Sequence, residues 1–169
     1  QQIHLVSEGV NLVYRFEQAG LGYYARLTHA SLRSESELKA ALAYQRHLFS
    51  HGVPVCELLI SSNQLWVESF QQGDELFLAH VCREVPGKPV HFDYKDMALY
   101  KHWGQVLGQL HRASKSYNQG EHEYTSWDSS LDELHEYSPH ESQVLQGVLD
   151  EVTTFFKVRN QTPENFGLT

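Results

Sequence analysis

Apolar residues come in short runs over the first thirty positions, and turn-forming residues separate them. Ile3 to Val6, Asn11 to Glu17 and Tyr23 to Thr28 are each rich in Val, Leu, Tyr or Phe and predict three β-strands. Gln18-Ala19-Gly20-Leu21-Gly22 predicts the turn between the second and third, so the strands form an antiparallel meander. After Arg33 the period changes. Ser34 is placed to cap a helix with Glu35 and Glu37 in its first turn, where carboxylates favour the positive end of the dipole. Leu38, Leu42, Gln45, Leu48 and Phe49 follow one helical face, and Gly52 with Pro54 ends it.

Three further strands are expected at Glu57 to Ile60, Leu65 to Phe70 and Glu75 to Cys82, divided by Ser61-Ser62-Asn63 and Gln71-Gln72-Gly73-Asp74. The pattern amounts to a sheet of about five strands with one helix inserted. Beyond Pro86-Gly87-Lys88-Pro89 the spacing is helical again, with Met97, Tyr100, Trp103, Leu107 and Leu110 on one face towards Ser116. Asn118 to Ser130 is polar and predicts a loop. Leu145, Val148, Leu149, Val152, Phe155 and Phe156 predict a last helix before Pro163. The fold class is α+β, with a division expected between residues 1–85 and 86–169.

Composition narrows the function classes. Thirteen Lys and Arg against 21 Asp and Glu give a net charge of -8, which opposes broad attraction to nucleic acid or anionic lipid. Neither class of partner is expected. Two cysteines, Cys56 and Cys82, are too few for a disulfide framework or a thiolate zinc site, and their apolar flanks predict buried thiols. No apolar run approaches the ~20 residues that cross a bilayer, and no signal-peptide pattern opens the chain, so a cytoplasmic location is expected. Among the 11 histidines, His122 beside Glu121 and Glu123, and His135 with His140, lack the i, i+4 spacing of a helical zinc site. His111 is expected to pack a helix or to lie between lobes rather than to bind a metal. No Gly-x-Ser-x-Gly elbow is present.

Several segments, taken in order, carry a resemblance. They are Asn11-Leu12-Val13-Tyr14, Tyr24-Ala25-Arg26-Leu27-Thr28-His29, Arg33-Ser34 and His51-Gly52-Val53-Pro54-Val55, then Pro86-Gly87-Lys88-Pro89-Val90 and Trp103-Gly104-Gln105-Val106-Leu107-Gly108-Gln109-Leu110-His111. Together the chain resembles the bacterial aminoglycoside-phosphotransferase and homoserine-kinase-like superfamily. The resemblance implies a protein-kinase-like nucleotide lobe over residues 1–85 and a hinge with the first helices of a second lobe over 86–169. Pro163-Glu164-Asn165-Phe166-Gly167-Leu168-Thr169 is similar to the family's lead-in to a His-x-Asp catalytic loop. The catalytic Asp and the magnesium ligands are then expected beyond Thr169, and this stretch of chain is expected not to turn over alone.

The same resemblance assigns parts to residues here, since phosphoryl transfer depends on holding nucleotide phosphates and metal and neutralising developing charge. Glu8-Gly9-Val10-Asn11 is the expected phosphate-covering loop, with backbone N–H groups presented beside Gly9; an ordinary hairpin turn is the alternative. Arg26 stands where protein kinases carry a phosphate-gripping Lys, and can pair phosphate bidentately. Its plain alternative is a surface Arg paired with a nearby carboxylate. The helix Glu that orients this cation is replaced by Ala41, and Glu37, one turn earlier, is the expected substitute unless it serves only the helix start.

The adenine slot falls on backbone groups of Cys82-Arg83-Glu84-Val85, with Val13, Ala25 and Leu58 as apolar walls or as plain core. ATP and Mg are the implied cofactors, and a small hydroxylated or amino-bearing molecule the implied acceptor. Self-association through exposed helices after Gly87 is also expected. Arg26 for Lys and Ala41 for Glu leave open a second reading, a pseudokinase-like nucleotide-binding or regulatory module.

Overall fold

A computed structural model of the chain describes residues 2–87, 95–122, 124, 127–137, 142–159 and 162. Strands β1 (Ile3–Glu8), β2 (Asn11–Gln18) and β3 (Leu21–His29) form the expected meander. Its second turn is tighter than the sequence predicts. Gln18 pairs with Leu21, leaving Ala19 and Gly20 as a two-residue loop, both at positive φ (52° and 77°), the geometry that matches the twist of a hairpin.

Helix α1 (Glu35–Ser50) begins at a complete capping box. The Ser34 hydroxyl accepts from the Glu37 N–H, and the Glu37 carboxylate accepts from the Ser34 N–H at 2.8 Å. Its buried residues are Leu38, Ala40, Leu42 and Leu48. Phe49, placed by periodicity on that face, is exposed because the helix is already ending there.

Strands β4 (Leu58–Leu59), β5 (Glu68–Gln72) and β6 (Glu75–Arg83) complete a six-stranded sheet of order β1-β2-β3-β6-β4, with β5 also pairing β6. β4 pairs the end of β6 and β5 pairs its start, so together they are one edge strand interrupted by residues 60–67. This explains why the strands expected at 57–60 and 65–70 are shorter or shifted. The main core lies where α1 meets the sheet: Leu38, Leu42, Leu58, Val67 and Leu78, flanked by Trp66 and Cys82. The Arg46 guanidinium lies over the Trp66 ring, 4.0 Å from its centre.

Helix α2 (Met97–Lys115) starts at Asp96, whose side chain accepts from the Leu99 N–H at 2.9 Å. The described residues up to 122 form one compact unit and those from 124 a second. α2 therefore belongs with the sheet unit. It packs on α1 through a second small core of Leu48, Val53 and Ala113, with Tyr44, Val55 and Leu110 around it. The His47 Nε2–H donates to the Ala113 carbonyl at 2.9 Å, and Tyr44 and Ser114 share a hydroxyl hydrogen bond.

On α2, Leu110 meets that core, while Met97, Trp103 and Leu107 remain exposed. His111 is exposed as well, and the packing histidine is His47 instead. In the second unit, α3 (Trp127–Tyr137) and α4 (Gln143–Val158) lie against each other, and Leu149 is buried. α4 agrees with the sequence; α3 corrects it, because residues 127–130 open a helix inside the stretch expected to be loop. Among the described residues, no helix is long and apolar enough to cross a membrane.

Candidate functional site

Alternation along β3 puts Tyr24, Arg26 and Thr28 on one face of the sheet and Tyr23, Ala25 and Leu27 on the other. Arg26 stands opposite Val13 on β2 and His80 on β6, so these three share a face. Leu78 and Cys82 belong to it too, and both pack in the core beneath α1. Arg26 is exposed on the helix side of the sheet and, among the described residues, pairs with no carboxylate.

Glu37 does not reach it. Its carboxylate is engaged by the Ser34 hydroxyl and N–H, which hold it below the usual carboxylate range. Ala25 is not a wall of this face, because a residue adjacent to Arg26 in a strand points the other way. It lines an open groove on the far side with Ile3, Tyr14 and Phe16. A second cleft there, about 420 Å³, is lined by Phe16, Tyr23, Leu59, Trp66 and Val81 among others. Of the expected walls, Val13 and Leu58 remain on the Arg26 face, and Leu58 is core.

The Glu8 to Asn11 segment is a short turn, with Gly9 and Val10 between β1 and β2. Gly9 has no positive φ and open space around the position a Cβ would take, so the turn itself does not demand glycine. Val10 is exposed, and the Thr28 hydroxyl donates to the Asn11 side-chain oxygen at 2.6 Å, fixing Asn11 beside the turn.

At the other end of the face, where β6 passes into the link, Glu84 is folded back onto the sheet. Arg15 Nε and Nη2 donate to its two oxygens at 3.0 and 2.8 Å, and the Tyr24 hydroxyl donates at 3.0 Å. Arg15, then Tyr24, hold the Glu84 carboxyl below its usual range, while Glu84 raises the pKa of both partners. Gly22 makes this possible: a Cβ built there collides with the Glu84 carboxylate. The Glu84 N–H donates to the Gly22 carbonyl at 2.9 Å and the Arg83 N–H to the Glu57 carbonyl at 2.8 Å. Two of the backbone donors expected to read a base are thus committed to the sheet. Val85, exposed, is the next residue along the link.

This cluster escapes a linear reading because Arg15 and Glu84 are 69 residues apart. The available signal was the alternation, since Arg15 and Tyr24 fall on the Arg26 face two residues along. A testable consequence follows from the depressed Glu84 pKa. A carboxyl lowered on folding contributes stability above its ordinary value near 4.5, and that contribution disappears as the pH falls through the folded value. Glu84→Gln and Gly22→Ala should each flatten the fall in thermal midpoint below pH 4.5, and the double variant should flatten it no further. Additive effects in thermal scans at pH 7 and pH 3.5 would show that the two positions act separately.

His80 lies beneath the same face, 9% exposed, and its buried Nδ1 has no hydrogen-bond partner among the described residues. Burial first, then the charges of Arg26 and Arg33, push its pKa down to about 4, so it is neutral at pH 7. Cys56 and Cys82 are free and half-buried rather than fully buried. Among the described residues no three His, Cys, Asp or Glu side chains gather as a metal site. Glu123 and His140, the His135 side chain, Lys88 to Val90 and the Pro163 to Thr169 lead-in lie outside the described residues.

A meander, an inserted helix and further strands that complete the sheet are what the sequence resemblance implied for the fold. The model of the phosphotransferase enzyme family matches residues 3–159. The chain belongs to that family. A curated member, an amicoumacin kinase of Bacillus subtilis (strain 168), is 25% identical over 171 residues, which cover 99% of this chain and 51% of the relative. The chain thus spans about half the length of this phosphotransferase.

A solved amicoumacin kinase in complex with AMP-PNP, Ca2+ and Ami superposes with a TM-score of 0.87 at 23% identity, over 99% of this chain and 52% of that one. A microcompartment-associated aminopropanol kinase follows at 0.75 and 14%, covering 98% and 55%. The family's kinase-like α+β fold, expected from the sequence, is therefore the fold of this chain.

Proposed function

We propose that this chain is the nucleotide-binding portion of an ATP-dependent phosphotransferase acting on a hydroxyl or amino group of a small molecule. The observation that carries the reading is Arg26: an exposed cation without a carboxylate partner among the described residues, on the helix side of the sheet, sharing that face with the foot of the link. Support comes also from the kinases among its relatives, one of them solved with AMP-PNP, Ca2+ and Ami.

On this reading the nucleotide phosphates meet Arg26 and the turn at Glu8, Gly9, Val10 and Asn11, with Val13 as an apolar contact. The base meets the link at Arg83, Glu84 and Val85 through carbonyls and the Val85 N–H. Glu37 serves by fixing the start of α1. Magnesium accompanies the phosphates, its ligands expected beyond Thr169. The acceptor lies in the remainder of the complete protein, and the exposed faces of α2 and α4 offer surfaces for self-association.

Titration of the purified chain with ATP and Mg2+ by calorimetry is expected to give saturable one-to-one binding that adenosine alone matches only weakly. Absence of any heat or thermal stabilisation at millimolar ATP would remove the reading. A second reading, a nucleotide-binding regulatory module, is favoured by one observation: with Ala41 in the helix and Glu37 held by Ser34, no carboxylate among the described residues orients Arg26. Phosphate transfer from ATP by the complete protein to a small acceptor separates the two.

A further inference from the structure

Two sulfurs lie together at the foot of the link, and neither has a part in the reading above. Cys82 is near the end of β6, its backbone paired with Tyr24 on one side and Leu58 on the other, its side chain against the core. Cys56 precedes β4 on the neighbouring edge. Leu58 pairs with Cys82, which puts Cys56, two residues earlier, diagonally across from Cys82, and each thiol acts on the titration of the other. Gln45 of α1 directs one amide nitrogen at Cys56 twice, donating to its sulfur at 3.1 Å and to its carbonyl at 2.9 Å. Neither sulfur-bearing residue is sealed from solvent.

A cysteine that only fills space is buried in apolar surroundings without donors to its sulfur. Cys56 instead has the Gln45 amide N–H aimed at its sulfur, and the Arg26 charge acts on it as well. We propose that Cys56 and Cys82 form a hydroperoxide-oxidisable dithiol, Cys56 the attacking sulfur and Cys82 the resolving one. Cys82 first, then the Cys56 backbone, Gln45 and the charge of Arg26, outweigh burial and lower the Cys56 thiol, while Cys56 and burial push Cys82 up. The pair is asymmetric because the Gln45 N–H donates to the Cys56 sulfur while Cys82 packs against the core, which is the arrangement of an oxidation-sensitive cysteine with its resolving partner.

The chemistry balances with a hydroperoxide as the only co-reactant. The Cys56 thiolate attacks the nearer peroxide oxygen, the O–O bond breaks, and the far oxygen leaves with a proton as water or an alcohol. Cys56 is left as a sulfenic acid, S–OH. The Cys82 sulfur then attacks the Cys56 sulfur, the S–O bond breaks, and the hydroxyl leaves with the Cys82 proton as water. Two thiols have been oxidised to one disulfide and one peroxide reduced.

Geometry permits the closure. Leu58 pairs with Cys82, so Cys56 is the diagonal neighbour of Cys82 on one face. Diagonal neighbours lie ~7–8 Å apart, just beyond the ~4.4–6.8 Å between Cα atoms of a disulfide. Cys56 itself lies in no helix or strand, and the small approach requires it to leave the two bonds from Gln45.

The test needs no nucleotide, so its outcome is separate from that of the proposed activity. The full chain, reduced and freed of reductant, is treated with stoichiometric hydrogen peroxide. Both thiols should disappear together, the intact monomer should lose two hydrogens in mass, and a cross-linked peptide carrying Cys56 and Cys82 should appear and vanish again with dithiothreitol. In Cys82→Ser, Cys56 should be trapped by dimedone as the sulfenic acid; in Cys56→Ser, Cys82 should react roughly tenfold more slowly or less. Loss of thiols only through intermolecular dimers overturns the proposal, as does equal reactivity of the two cysteines, or reaction only in denaturant. The wild-type arms decide the matter even where a variant fails to fold.

Discussion

Replacing Leu78 by alanine is expected to lower the unfolding free energy of the sheet unit by about 3 kcal/mol, within the ~2–5 kcal/mol usual for emptying a closed Leu site. Leu78 is 1% exposed and sits at the centre of the core formed by Leu38, Leu42, Leu58 and Val67. Its strand, β6, is paired with β3 along one side and with β4 and β5 along the other, so the backbone around the site cannot collapse into the space left. Leu76, on the same strand and face but 39% exposed, provides the control. Leu76→Ala should cost less than about 1 kcal/mol, since few atoms close over it. Urea unfolding followed by the fluorescence of Trp66, which flanks this core, measures both. Equal costs for the two substitutions would mean that Leu78 is not the closed centre it is taken to be.

That core was legible in the sequence because its signals are local. Ser34 with Glu37, followed by Leu38 and Leu42, specifies a helix start and its buried stripe within nine residues. Ala19 and Gly20 sit in a turn that the composition marks on its own. The interrupted edge was harder to read, because Leu58–Leu59 is too short a strand for any periodicity to register. Helix α3 is illegible for a different reason: residues 127–137 carry few apolar positions, so composition alone resembles a loop.

The site divides along the same line. Arg26 could be named because its strand is continuous and alternation fixes its side, and the same rule, applied to Ala25, would have removed that residue from the Arg26 face. The bonds of Glu84 to Arg15 and Tyr24, and of Gln45 to Cys56, join residues 69, 60 and 11 positions apart. Nothing short of the strand register brings them together. Gly22 shows the cost of reading such a residue alone, because it resembles a turn glycine and in fact clears space for the Glu84 carboxylate.

Arg26→Ala is expected to weaken ATP binding by roughly 10- to 100-fold while leaving the fold intact. The magnitude follows from the chemistry: a hydrogen bond between a guanidinium and a phosphate contributes ~1.5–3 kcal/mol, and each ~1.4 kcal/mol is tenfold in affinity. Stability should change little, because Arg26 is exposed and forms no ion pair with a described residue whose loss would strand a partner. Arg26→Lys should retain much of the affinity, since the charge persists and only the bidentate fork is lost. Binding of adenosine, which has no phosphates, should be the same in all three proteins. This pattern separates a phosphate contact from a general disturbance of the sheet, which would lower nucleotide and nucleoside affinity together and shift the unfolding midpoint. Unchanged ATP affinity in Arg26→Ala, with the same midpoint as wild type, would mean that the cation facing α1 does not hold phosphate, and the nucleotide site would have to be sought elsewhere on the chain.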